Sequence, residues 1–259
     1  MIKQTKQQAR SIVLNHQRIG NQIWKLRLHN PLIAQHAKPG QFVQILVPNH
    51  GELDPILRRP ISISLADAEA GWFEVIFREV GRGTKMLAQI MEGEILNVMG
   101  PLGKGFSLRG ERPLLIGGGM GVAPLIYQAA VLCPKPTLVA IGGRNEEEVF
   151  WSRYFEGVCD EVKIATDDGS CGVRGNALCL LEGLEKEVDY VYTCGPEGLL
   201  KAVAAWAASH NIPCEVSLEK HMACGVGVCL ACTCDTTAGR RKVCMNGPVF
   251  PAEEVYPHE

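Results

Sequence analysis

The sequence predicts a small antiparallel β barrel, then an α/β unit built on a parallel sheet, then a short cysteine-rich segment. Three observations carry this. Short alternating apolar runs, separated by Gly, Pro, Asn and Asp, fill the chain up to about Leu108. From Pro113 onward, strand-like runs alternate with helix-like ones. Five of the 11 cysteines fall within the 21 residues from Cys224 to Cys244. At 259 residues the chain suits two small domains with an appendage. The changes of rhythm set the expected boundaries at 1–110, 111–213 and 214–259.

In the barrel region the expected strands are Ser11–Leu14, Gln22–Leu28, Phe42–Val47, Ile61–Leu65 and Trp72–Phe77, with one helix over Gly83–Ile90. In the α/β region they are Leu114–Ile116, Thr137–Ile141, Val162–Ala165 and Tyr190–Thr193. Helices are expected over Val122–Leu132 and the Ala-rich Leu199–Ser209, with further helical stretches between the strands. Such alternation implies a parallel sheet covered on both faces. After Pro213 the chain reads as a Cys/Gly segment.

Composition narrows the function. Lys and Arg number 26 against 28 Asp and Glu, a net charge of -2, which gives no electrostatic pull toward nucleic acid or an anionic membrane. The first ten residues are polar and lead into no apolar signal core, so a cytoplasmic setting is expected. Pro113–Pro134 carries no charge over 22 residues. Its glycines, Pro124 and Gln128 make it a strand, a turn and a buried helix rather than a membrane span.

The cysteines divide into two sets. Cys133, Cys159, Cys171, Cys179, Cys194 and Cys214 are scattered and read as small buried residues. Cys224, Cys229, Cys232 and Cys244 follow C-x4-C-x2-C-x11-C, whose first three cysteines match a plant-type [2Fe-2S] loop with a distant fourth thiolate. Gly225 and Gly227 permit the tight wrapping that brings backbone N–H groups to sulfur. Zinc favours paired CxxC knuckles and is the weaker reading. Cys234, two residues past Cys232, faces the other way in an extended segment and is left out of the ligand set. His221 reads as a solvated residue.

Two regions suit nucleotides. Gly117-Gly118-Gly119-Met120-Gly121 follows the first parallel strand and opens a helix, a geometry that seats phosphate, although it is not the G-x-G-x-x-G pattern. Cys194-Gly195-Pro196 ends the last parallel strand expected, where open α/β sheets take ligands. In the barrel, Arg58-Arg59-Pro60-Ile61-Ser62 offers a guanidinium suited to pyrophosphate beside a hydroxyl. Gly81-Arg82-Gly83-Thr84 precedes the single expected helix of this domain.

These motifs, in this order over nearly the whole chain, resemble the ferredoxin-NADP reductase superfamily. Within it the chain looks like the electron-transfer subunits that serve a dihydroorotate-oxidising partner. Thr166–Ser170 and Val243–Phe250 share that likeness. The resemblance implies FAD in the barrel, NAD on the α/β domain and a [2Fe-2S] cluster at the C-terminus. It implies that Arg59 binds the flavin pyrophosphate, with Pro60 in the same turn, and that Ser62 hydrogen-bonds near the reactive nitrogen. Ile76, Phe77 and Arg78 would flank the flavin nucleotide, with Gly83 and Thr84 on its phosphates. Gly117, Gly118, Gly119, Gly121, Cys194, Gly195 and Pro196 would hold NAD. The superfamily motif is R-x-Y-S, and Ile61 replaces its stacking aromatic.

The implied activity is electron transfer in pyrimidine biosynthesis. An FMN-containing subunit, in a heterotetramer of two of each chain, would oxidise dihydroorotate; electrons would pass through the cluster to FAD and on to NAD. No catalytic acid or base is assigned to this chain. The reductase subunit of a sulfide dehydrogenase or of an NADH-dependent ferredoxin:NADP reductase complex is an alternative, as is a non-catalytic iron-sulfur redox sensor. Glu146-Glu147-Glu148 predicts preference for NAD over NADP, with Arg144 pulling the other way. The uncharged cluster loop predicts a docking surface for the partner.

Overall fold

The computed structural model describes residues 7–47 and 54–257; the polar stretch Met1–Lys6 lies outside them. Six antiparallel strands close a barrel in the order β1-β2-β5-β4-β3-β6. They are β1 (Gln7–Gly20), β2 (Ile23–His29), β3 (Phe42–Leu46), β4 (Arg59–Asp67), β5 (Trp72–Arg78) and β6 (Ile95–Leu102). Alternation explains the closure. Leu26 and Leu28 of β2, Ile61 and Ile63 of β4, and Phe73 and Val75 of β5 point into one buried cluster with Val43, Ile45 and Val98. Each such side chain contributes roughly 1.5–3 kcal/mol by leaving water.

Two barrel elements were not expected. β6 closes the cylinder between β1 and β3, and a short helix, α1 (Pro31–His36), follows β2. The α1 cap is local chemistry: Asn30 Oδ1 accepts from the Ile33 backbone N–H at 3.2 Å, with Pro31 at the first helical position. The expected helix at 83–90 is the shorter α2 (Arg82–Leu87).

The second unit is a seven-stranded sheet, β10-β9-β8-β7-β11-β12-β15. Its strands are β7 (Pro113–Gly118), β8 (Leu138–Gly143), β9 (Glu161–Thr166), β10 (Val173–Arg174), β11 (Tyr190–Cys194), β12 (Cys214–Ser217) and β15 (Val249–Pro251). All neighbours run parallel except β12 and β15. Two helices cover opposite faces: α3 (Val122–Leu132) packs with Leu115, while α4 (Glu197–Ser209) packs with Leu114 and Ile116. Between β8 and β11, the expected helical stretches are short 3-10 turns. Among the described residues no helix is long and apolar enough to cross a membrane.

The region after Pro213 is more than a cysteine loop. It supplies β12 and β15 to the sheet, a two-stranded ribbon of β13 (Thr233–Cys234) and β14 (Arg241–Lys242), and two single-turn helices, α5 (Val243–Asn246) and α6 (Ala252–Val255). Cys232 and Cys244 are buried in the same cluster as Phe42 and Leu102 of the barrel and Val216 of the sheet. α3 links the units as well: Tyr127 packs in the barrel cluster, and its hydroxyl donates to the Ala37 carbonyl at 3.2 Å.

Candidate functional site

The buried apolar run of β7 ends at the sheet's carboxyl edge, where the chain turns through Gly119–Gly121 into α3. Gly121 lies directly on the 194–195 segment; a Cβ there would sit 2.4 Å from the Cys194 carbonyl oxygen. Gly117 is pressed under Val122 and Leu125. Gly118, Gly119, Gly121, Gly195 and Pro196 line one cleft of about 680 Å³ with Arg78, Arg144, Glu148 and Glu219. It occupies the carboxyl ends of β7, β8 and β11, the usual ligand position in such sheets. Cys194 is buried behind it, and burial holds its thiol well above the ordinary range, neutral at physiological pH. Burial likewise raises the carboxyl of Glu219.

Charge at the mouth of the cleft is organised around Glu148. Arg144 donates to it from Nε at 3.0 Å and from its backbone N–H at 3.1 Å. Arg78, from the last residue of β5, reaches it at 3.6 Å. The hydrogen bond from Arg144 holds the Glu148 carboxyl below the usual carboxylate range. In the sequence Arg144 and the carboxylates are opposing influences; in the structure Arg144 pairs with Glu148, across four positions around a 3-10 turn.

The barrel residues form a second locus. Arg59 crosses Gly83 so closely that a Cβ there would lie 2.1 Å from Arg59 Nε. Arg58 ties the barrel together by donating to the carbonyls of Gln44 and Asn97 and to Asn97 Oδ1. The Thr84 hydroxyl accepts from the backbone of Val80 and Gly81 and donates to the Gly81 carbonyl, so it is used within the turn. Pro60 is exposed and Ser62 half-buried, whereas Ile61 is buried in the barrel cluster. Ile76 faces the α/β unit and Phe77 the barrel interior. Arg78 Nε is buried without a partner, as is the hydroxyl of Ser64, a residue that no sequence motif singles out. An acceptor-rich nucleotide fits this donor set.

The cysteine loop is cradled by amides. Cys224 Sγ accepts from the backbone N–H of Val226, Val228 and Cys229 at 3.4, 3.3 and 3.4 Å. Burial opposes ionisation of Cys224, but these amides outweigh it and bring the thiol down to about 6. Cys244, at the start of α5, donates its N–H to Cys232 Sγ at 3.5 Å. Burial and the neighbouring Cys232 push the Cys244 thiol up to about 12. Two linked pairs, Cys224/Cys229 and Cys232/Cys244, suit two irons with two thiolates each. Cys234 lines a cleft with Lys220 and Tyr256 that adjoins the nucleotide cleft at Gly195, Pro196 and Glu219, and His221 is exposed. Val226, Val228 and Leu230 point outward.

Residues 219–256 match the family model described as the iron-sulfur cluster binding domain of dihydroorotate dehydrogenase B. The chain is 39% identical over 255 residues to the dihydroorotate dehydrogenase B (NAD(+)) electron transfer subunit of Bacillus caldolyticus, covering 95% of this chain and 97% of that one. The protein of the same name from Caldanaerobacter subterraneus is 38% identical, with coverages of 94% and 96%. Among solved structures, a chain of NADH-dependent reduced ferredoxin-NADP oxidoreductase superposes with a TM-score of 0.84 at 29% identity, covering 95% and 90%. Phthalate dioxygenase reductase superposes at 0.63 with 17% identity, covering 89% and 87%, a likeness of fold.

Proposed function

The chain belongs to the family of dihydroorotate dehydrogenase B electron-transfer subunits, and from that premise we propose that it carries electrons from a dihydroorotate-oxidising partner to NAD in pyrimidine biosynthesis. The observation that carries this reading is the coexistence, in one chain, of two N–H···S-linked cysteine pairs and a glycine-lined cleft at the sheet's carboxyl edge. When bound, FAD exchanges hydride with NAD and single electrons with a [2Fe-2S] cluster.

The chain's own groups divide the work of binding. Arg59, at the start of β4 beside Pro60, neutralises the flavin pyrophosphate, supported by Gly83 and Thr84. Ser62 offers a hydroxyl to the flavin edge beside Ile61, and Ile76, Phe77 and Arg78 flank its nucleotide. The Gly117–Gly121 loop and Cys194-Gly195-Pro196 hold NAD, with Cys194 as an uncharged wall. Cys224, Cys229, Cys232 and Cys244 hold the cluster. The functional division runs 1–110, 111–213 and 214–259. β12 and β15 tie the segment that bears these cysteines into the sheet, which supports this arrangement.

The partner in this reading contains FMN, and two copies of each chain form a heterotetramer. The setting is cytoplasmic, in keeping with cysteines that are all unpaired among the described residues. The test is reconstitution. The chain alone should reduce artificial dyes with NADH and leave dihydroorotate untouched, whereas adding the flavoprotein partner should give dihydroorotate-dependent NAD reduction. Turnover of dihydroorotate by the isolated chain would refute the assignment.

A further inference from the structure

Gln44 stands third in β3, the strand Phe-Val-Gln-Ile-Leu, and it is completely buried at 0% exposure. Neither Nε2 nor Oε1 of its side chain has a hydrogen-bond partner. A buried primary amide left unpaired carries its full desolvation cost, so a folded protein retains one mainly where something else completes it. What lies beside it is the cysteine loop. A Cβ on Gly225 would fall 2.5 Å from Gln44 Nε2, and Gly225, at φ +69°, directly follows Cys224.

The position of β3 gives this contact meaning. On one side Gln44 registers with Pro60 of β4, between Arg59 and Ile61. On the other it registers with Met99 of β6, which packs against the cluster of residues holding Cys232 and Cys244. Gln44 therefore sits between the strand assigned to the flavin and the loop assigned to the iron. Cys224 Sγ already takes three amides from its own loop; the barrel side presents this side chain.

We propose that Gln44 is a positioning residue that donates its side-chain N–H to a sulfur of the [2Fe-2S] group held by the four cysteines. The inference rests on the cluster reading given above. Thiolate and sulfide sulfurs accept hydrogen bonds and cannot donate them, so the amide presents its NH₂ rather than its oxygen. Hydrogen bonds to cluster sulfur favour the reduced, more negative state and raise the potential. Glycine at 225 leaves the amide its place.

The test uses the full chain with its cluster reconstituted. In Gln44→Met, similar in length but without donors, iron and sulfide content should match the unsubstituted protein. EPR-monitored titration should show the reduced-to-oxidised ratio at the original midpoint falling threefold to tenfold, tenfold being about 59 mV for one electron. An unmoved potential with normal iron content would overturn the proposal. Should Gln44→Met fail to assemble, the unsubstituted protein labelled with side-chain ¹⁵N-glutamine decides: pulsed EPR of the reduced cluster should show a coupled ¹⁵N, and its absence overturns the proposal. Unsubstituted protein without iron and sulfide would instead refute the cluster reading itself.

Discussion

Cys244 donates its backbone N–H to the sulfur of Cys232 at 3.5 Å, across 12 positions of sequence. That contact brings the distant fourth cysteine to the compact loop, because α5 starts where β14 ends and Val243 N–H reaches the Cys232 carbonyl. Both cysteines are buried, so neither is free to be replaced by a neighbour. Substituting Ser for Cys224, Cys229, Cys232 or Cys244 should each strip most iron and acid-labile sulfide, while Cys234→Ser should retain both. Retention in Cys232→Ser with loss in Cys234→Ser would reverse the ligand choice.

Selection between NAD and NADP should turn on Glu148. Its carboxylate occupies Arg144, which otherwise could accept a 2′-phosphate. The native chain should favour NADH over NADPH by at least tenfold in kcat/KM, about 1.4 kcal/mol. Glu148→Gln removes the negative charge and releases the guanidinium, so that ratio should shrink several-fold. A ratio that does not move would assign selection elsewhere in the cleft.

Gly83→Ala should weaken flavin retention. The new Cβ would meet Arg59 Nε at 2.1 Å, and the guanidinium must move off its place over α2. Overpacking of this kind costs roughly 1–3 kcal/mol, here partly relieved because a side chain rather than backbone yields. FAD content after gel filtration and the dissociation constant, expected to rise about tenfold, measure it. Unchanged FAD affinity would separate Arg59 from the pyrophosphate.

Alkaline conditions should expose the buried thiols. Burial raises the thiol of Cys214 above its ordinary value. With the folded value raised, the unfolded chain loses its proton first, so stability is complete below about pH 8.5 and declines above it. Each such thiol steepens the decline by at most about 1.4 kcal/mol per pH unit. Urea unfolding of the cluster-free chain from pH 7.5 to 10 should show a shallower slope in Cys214→Ala than in the unsubstituted chain. Parallel slopes would refute the burial argument.

What the sequence made legible was periodicity. β7 and α3 follow from an apolar run, a glycine turn and a buried helical stretch, and their boundaries sit close to those expected. β6 was hidden because Asn97, Gly100 and Pro101 read as turn residues, although the strand pairs with β1 through Gly100. β12 and β15 were masked by the cysteines around them. Gln44 gave a faint signal, one amide in an otherwise apolar strand, and only three dimensions put Gly225 against it. Local spacing reveals ligand sets; contacts between distant strands do not appear in it.

The partner should dock on the outer face of the cysteine loop. Val228 is 78% exposed and Met245 42% exposed, both next to cluster cysteines, while the inner side of the loop is occupied by Gln44 and the barrel. Exposed aliphatic groups clustered at a redox centre are costly to leave in water and suit burial by a second protein. A carboxylate placed there must be desolvated on docking, so Val228→Glu and Met245→Glu should each weaken association with the flavoprotein at least tenfold, about 1.4 kcal/mol. Iron content identifies any variant whose loop no longer assembles, and NADH-dye turnover reports the flavin site separately. Binding measured by calorimetry or analytical ultracentrifugation should fall while iron stays bound. Undiminished affinity in both iron-replete variants would move the interface to another face of the chain.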